Sequence, residues 1–173
     1  MTTATLIKES ATHLLRPRRP SLREGMLRGA VAGAAGTTAL NAVTYLDMAV
    51  RGRSASSTPE QSVEKLSEKA HVPIPGDGQK HQNRVSGLGP MLGIAAGVST
   101  GAALGAVRAT GARPRLAVES AAAGLGAMVA GSGPMAALGI SDPRAWSVTD
   151  WVADVVTHAA YALVTAWTLD RLS

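Results

Sequence analysis

Between residues 87 and 107 the chain reads GLGPMLGIAAGVSTGAALGAV, with glycine at 89, 93, 97, 101 and 105. In a water-exposed helix each interior glycine costs about 1 kcal/mol relative to alanine, so this spacing would undermine a soluble helix of the same length. Positions four apart advance about 40° around a helix, so Gly89, Gly93, Gly97, Gly101 and Gly105 form one inclined ridge. A ridge without side chains lets a neighbouring helix approach closely. That is the small-xxx-small packing mode in lipid, where apolar side chains gain nothing by leaving apolar surroundings. Gly25, Gly29 and Gly33 repeat the device on a row that continues into Thr37, Asn41 and Tyr45. Both ridges, together a glycine zipper, are expected to be helix-packing surfaces, within the chain or between copies.

Composition supports lipid as the solvent. The chain has 173 residues, is 46% hydrophobic and contains no Phe. At roughly 25 cal/mol per Å², a core of Ala and Gly would bury little stabilising area in water. The absence of Cys removes disulfides, thiol catalysis and thiolate metal ligation together. Four apolar stretches, 29–50, 86–107, 116–140 and 148–169, reach membrane length: 22 residues rise about 33 Å against a hydrocarbon core of about 30 Å. The expected fold is an all-α integral membrane four-helix bundle over 29–173, preceded by a basic arm at 1–28. A soluble Ala/Gly-rich bundle is the alternative. The third stretch carries GSGPM, and its first 15 residues rise only about 22 Å, so it must continue through a kink at Gly131, Gly133 and Pro134.

Orientation follows from basic residues. Ten Lys/Arg belong to the first 28 residues, the loop at 108–115 and Arg171, against six in the loop 51–85 and Arg144 beyond the third stretch. The positive-inside rule places both termini in the cytoplasm and loop 51–85 outside. Trp151 and Trp167 are about 24 Å apart along a helix and fit two interfacial belts. Within loop 51–85, Thr58 as cap, Pro59 in the first turn and Gln61 at capping-box spacing predict a short extramembrane helix over about 58–70. The N-terminal arm has no apolar core of a secretory signal and suits anionic lipid headgroups. Nothing in the sequence resembles a nucleic-acid-binding pattern.

The fourth stretch holds the sharpest polar signal. Asp150, Asp154, Thr157, His158, Tyr161, Thr165 and Thr168 lie within about 60° of Asp154 on a helical wheel. A lipid-facing Asp costs about 2.5 to 3.5 kcal/mol on the insertion scale, so this stripe is expected to face other helices or a hydrated cavity. Thr37, Asn41, Thr44 and Asp47 of the first stretch are the expected partners. Asp154 and His158, one turn apart, can pair directly; Asp47 and Asp150 lie nearer the outer surface. An interhelical anchor, a proton or solute pathway and a metal or catalytic site are the competing readings of this cluster, the metal site lacking a second group of His or Glu to complete a shell. Glu119 is expected at the interface near Arg113 and Arg115, favourable at a helix N-terminus.

NRVSGLGPMLGIAAGVSTGAALG, PMAALGISDP and DWVADVVTHAAYALVTAWTLDRL, in that order, resemble small bacterial inner-membrane proteins of the YagU kind. The resemblance runs from the first apolar stretch to the C-terminus and implies an integral membrane protein without assigned chemistry. Abundant Ala, Gly and Arg with little Lys point to a GC-rich bacterial genome. The expected function is therefore non-enzymatic, without catalytic residues, metal or cofactor: a structural or interaction component, with itself or another membrane protein as partner. The alternative is a small transporter or proton-conducting protein using Asn41, Asp47, Asp154 and His158.

Overall fold

A computed structural model describes residues 20–173. All regular structure among the described residues is helical, with α1 at Leu22–Arg51, α2 at Thr58–Ala70, α3 at Gly78–Ala109, α4 at Leu116–Ala137 and α5 at Val148–Leu172. A single 3-10 turn, Pro143–Ala145, connects α4 to α5. No strand occurs among the described residues.

Several boundaries differ from expectation, each for a local reason. α1 begins at Leu22 rather than near Gly29, because Ser21 and Glu24 form a reciprocal capping box. The Ser21 N–H donates to the Glu24 carboxylate at 2.7 Å, and the Glu24 N–H donates to the Ser21 hydroxyl at 3.2 Å. Residues 22–28 of the expected arm are therefore helical; the rest of it, with Lys8, Arg16, Arg18 and Arg19, lies outside the described residues. In α2 the cap is Ser57, one residue before Thr58, and the Gln61 amide reaches back to the Ser57 hydroxyl at 2.9 Å. α4 runs through Pro134 and stops at Ala137 rather than 140. There Gly139, at φ 70°, allows Gly139 N–H to reach Ala136 O and Ile140 N–H to reach Met135 O, a Schellman ending.

α1 packs along α3 and α5, α4 along α5 and more lightly along α3, and α2 against α3. The four long helices thus form a ring of antiparallel neighbours, with α2 laid on α3 near the α1 C-terminal end. On α2 itself, Lys65 donates to Glu68 at 2.8 Å, and this hydrogen bond holds the Glu68 carboxyl below its ordinary range.

Inside and outside are reversed relative to a water-soluble bundle. The interior is mostly small, with Ala32, Ala123, Ala127, Ala162 and Ala166 beside Tyr161, Thr165, Val85 and Leu169, while Val31, Leu46, Leu125, Val129, Val152 and Leu163 face outward. Three helices, α3, α4 and α5, are long and apolar enough to cross a membrane. Only 17%, 22% and 28% of their most apolar windows is buried within the protein. α1 is not among the three, although four crossings were expected. Its Thr37, Thr38, Asn41 and Thr44 lower its apolar content. Those three threonine hydroxyls each donate to the carbonyl four residues back, at 2.8 to 3.0 Å, so none competes for an external partner.

Candidate functional site

The seam between α1 and α3 is built from glycine on both sides. A Cβ on Gly25 would lie 2.5 Å from the Gly105 carbonyl oxygen, and one on Gly33 the same distance from that of Gly97. A Cβ on Gly29 would fall on the Gly101 carbonyl and 2.9 Å from the Gly105 Cα. Seen from α3, a Cβ on Gly101 would lie 2.6 Å from the Gly33 Cα, and one on Gly105 2.8 Å from the Gly29 Cα. Backbone meets backbone over about two turns, and only hydrogen fits between. These six glycines thus meet within one chain.

The α3 ridge does not serve one neighbour along its length. Gly89 faces Pro59 of α2, where a Cβ would lie 3.1 Å from the proline. Gly93 meets no neighbour within the chain: it is exposed, and a Cβ there would meet nothing within 4 Å. The 40° advance per step explains this, because five steps carry a row across more than one neighbour. Gly36, unremarked in the sequence, joins α1 to α5: a Cβ there would lie 2.9 Å from the Tyr161 carbonyl oxygen. It lies on no i+4 row with Gly25, Gly29 and Gly33, and for that reason was missed.

Thr37, Gly97 and Tyr161 form the junction of α1, α3 and α5. Tyr161, 1% exposed, donates its hydroxyl to the Gly97 carbonyl at 2.6 Å. A Cβ on Gly97 would collide with the Thr37 hydroxyl and lie 3.3 Å from the Tyr161 ring. Thr37 itself donates to Gly33 O at 2.8 Å.

The polar stripe of α5 divides into parts with different partners. Asp150 is exposed and completes a capping box with Ser147, accepting from its N–H at 3.0 Å and its hydroxyl at 2.6 Å. It is thus a helix cap rather than a member of an interior cluster, and the signal was Ser147 three residues before it. Asp154 and His158 pair: Nδ1 lies 2.8 Å from the Asp154 main-chain oxygen and 3.3 Å from Oδ1. Thr157 donates to carbonyls of its own helix. The expected α1 partners do not complete this set. Asp47 is held by Arg53 at 2.5 Å and Arg51 at 3.4 Å, and Asn41 is half-buried on α1.

A second charged cluster, absent from the sequence reading, ties the other end. Glu119 is 2% exposed and forms a two-pronged ion pair with Arg108, whose Nε lies 2.6 Å from Oε1. Arg108 also donates to the Leu169 carbonyl at 3.2 Å and lies 3.4 Å from Asp170. One guanidinium therefore links the ends of α3, α4 and α5. Glu119 is a buried partner of Arg108, not an interfacial partner of Arg113 and Arg115. Its signal was Arg108, the base at the end of a long apolar helix.

Among the described residues no three His, Cys, Asp or Glu gather as a metal-binding group. Two grooves, of about 500 and 460 Å³, are surface features lined mainly by apolar side chains. Comparison with protein-family models, curated proteins and solved structures yields no match.

Proposed function

We propose that this chain is a four-crossing integral protein of a bacterial cytoplasmic membrane, acting as a structural or interaction component. The observation that carries this reading is the inverted surface: most Leu and Val outside, and mainly Gly, Ala and Thr inside. In water that arrangement would expose the groups whose burial drives folding. In lipid it costs nothing, and stability comes from close backbone contact. α1 counts as the fourth crossing because its glycines lie against those of α3 over about two turns and its threonines bond within the helix. The likeness to inner-membrane proteins of the YagU kind agrees with this placement.

The charge balance supports cytoplasmic termini. At the α1 C-terminal end, including α2 and the loops, seven Lys/Arg are matched by seven Asp/Glu. At the opposite end the described residues hold six Lys/Arg against three Asp/Glu, and the first 19 residues add four bases against one acid. A basic end suits an anionic cytoplasmic leaflet. Trp167, with Arg171 5.5 Å from its ring centroid, lies at that end; Trp146 and Trp151, rings 4.9 Å apart, lie at the other. Both positions suit interfacial anchoring.

Because the main ridges are occupied within the chain, a partner would meet the outward Leu and Val faces. The test is extraction followed by crosslinking in native membranes. Retention through carbonate and high salt, with release only by detergent, is the expected result. Release without detergent would instead make the chain a soluble bundle. A crosslinked species larger than one chain supports an interaction role; a lone monomer at every crosslinker concentration counts against it.

A further inference from the structure

We propose that Asp154 and His158 form a proton-binding site inside the bundle, taking up one proton between them from the end where Asp150 lies. The inference rests on the membrane reading for one thing, the exclusion of bulk water from this depth. Asp154 and His158 lie six and ten residues beyond Val148, about 9 and 15 Å into the helix. Their side chains are 18% and 14% exposed.

The hydrogen bonding fixes which atoms are free. A main-chain carbonyl only accepts, so the His158 Nδ1 at 2.8 Å from Asp154 O carries hydrogen. In the neutral ring Nε2 is then the bare nitrogen. On the acid, Oδ1 faces Nδ1, whereas Oδ2 is buried and has no hydrogen-bond partner among the described residues. A carboxylate oxygen in that state is costly unless it is neutralised. One proton, on either Asp154 Oδ2 or His158 Nε2, makes the pair neutral overall.

No other charge in the neighbouring helices does this work. α3 has no titratable residue between Arg84 and Arg108, and α4 none after Glu119. On α1, between Arg28 and Asp47, only the exposed Tyr45 titrates, and Asp47 is already held by Arg51 and Arg53. On α5, Asp150 is committed to Ser147 and Tyr161 to Gly97 O. The outward neighbour on the same face is Asp150, one turn away at the exposed helix start, which makes that end the route of entry. A metal cation would require more ligands than one carboxylate and one imidazole.

The test uses the full chain in lipid nanodiscs, with infrared difference spectra recorded between pH 4 and pH 9 and histidine labelled with ¹⁵N. The expected wild-type response is a reversible one-proton change with a band from His158. That band should be lost in Asp154→Asn and in His158→Gln, and retained in His81→Gln, which alters a surface histidine 3.8 Å from Glu64. A wild-type protein in which neither the Asp154 carboxyl nor His158 gives a change over this range overturns the proposal, whatever the variants do. So does an Asp154→Asn protein that keeps the His158 response unchanged. Failure of detergent-dependent extraction would sink the membrane reading separately, without altering this titration.

Discussion

The Tyr161 hydroxyl donates to the Gly97 carbonyl at 2.6 Å, joining α5 to the glycine seam of α3 across 64 residues of sequence. The carbonyl is already used by its own helix, so the bond draws on its second lone pair. Tyr161→Phe keeps the ring and removes only this bond. Interhelical hydrogen bonds in membranes average about 0.6 kcal/mol, so a small fall in detergent melting temperature is expected. Tyr161→Ala, which also empties a buried site, should cost several times more, about 3 to 5 kcal/mol. Equal effects from the two would show that the hydroxyl, rather than the ring, holds the junction.

The glycines of α3 should respond to alanine in a graded order. At Gly101 and Gly105 a Cβ meets backbone of α1, which cannot move aside locally. Overpacking of that kind typically costs ~1–3 kcal/mol. At Gly97 the first obstacle is the Thr37 hydroxyl, a side-chain atom, so alanine there should be milder and leucine severe. At Gly93 nothing lies within 4 Å, and alanine should be neutral or stabilising through helix propensity. Thermal melting of the four alanine variants and of Gly97→Leu, with Ile94→Leu as control, checks the order. A Gly93→Ala protein as damaged as Gly101→Ala would mean that the exposed ridge meets another molecule.

Arg108 and Glu119 should be interdependent. Removing one member of a buried pair strands the other charge and costs about 3 to 5 kcal/mol, whereas an apolar pair of similar volume is often tolerated. Arg108→Met and Glu119→Met should each lower yield and melting temperature sharply. The double variant should recover much of the loss. Additive losses in the double variant would show that Arg108 acts mainly through Leu169 O and Asp170.

Topology can be read without a background of native thiols, because the chain has no Cys. Single cysteines at Ser54 and Gly111 lie in the connections after α1 and α3. With cytoplasmic termini, an impermeant maleimide added to intact cells should label Ser54→Cys, and label Gly111→Cys only after the membrane is opened. The reverse pattern inverts the orientation and leaves the bundle as described.

Much of this architecture is determined locally and is therefore legible in the sequence. The apolar stretches mark the long helices, Pro59 marks the start of α2, and the i+4 glycine rows mark a surface made for close approach. Capping boxes at Ser21–Glu24 and Ser147–Asp150 belong to the same class of signal, since a cap involves residues three apart. What only the tertiary structure decides is which surface meets which. The row from Gly89 to Gly105 turns around the helix, so α2, open surface and α1 each receive a part of it. Arg108 finds Glu119 eleven residues on and Asp170 sixty-two residues on, because antiparallel packing brings three helix ends together. Asp154 pairs within its own helix, but the lack of a partner for Oδ2 depends on what the surrounding helices present to it. Helix formation is settled by neighbours three and four residues apart; the choice between lipid, backbone and charge as surroundings is settled by the rotation and neighbours of each helix in the bundle.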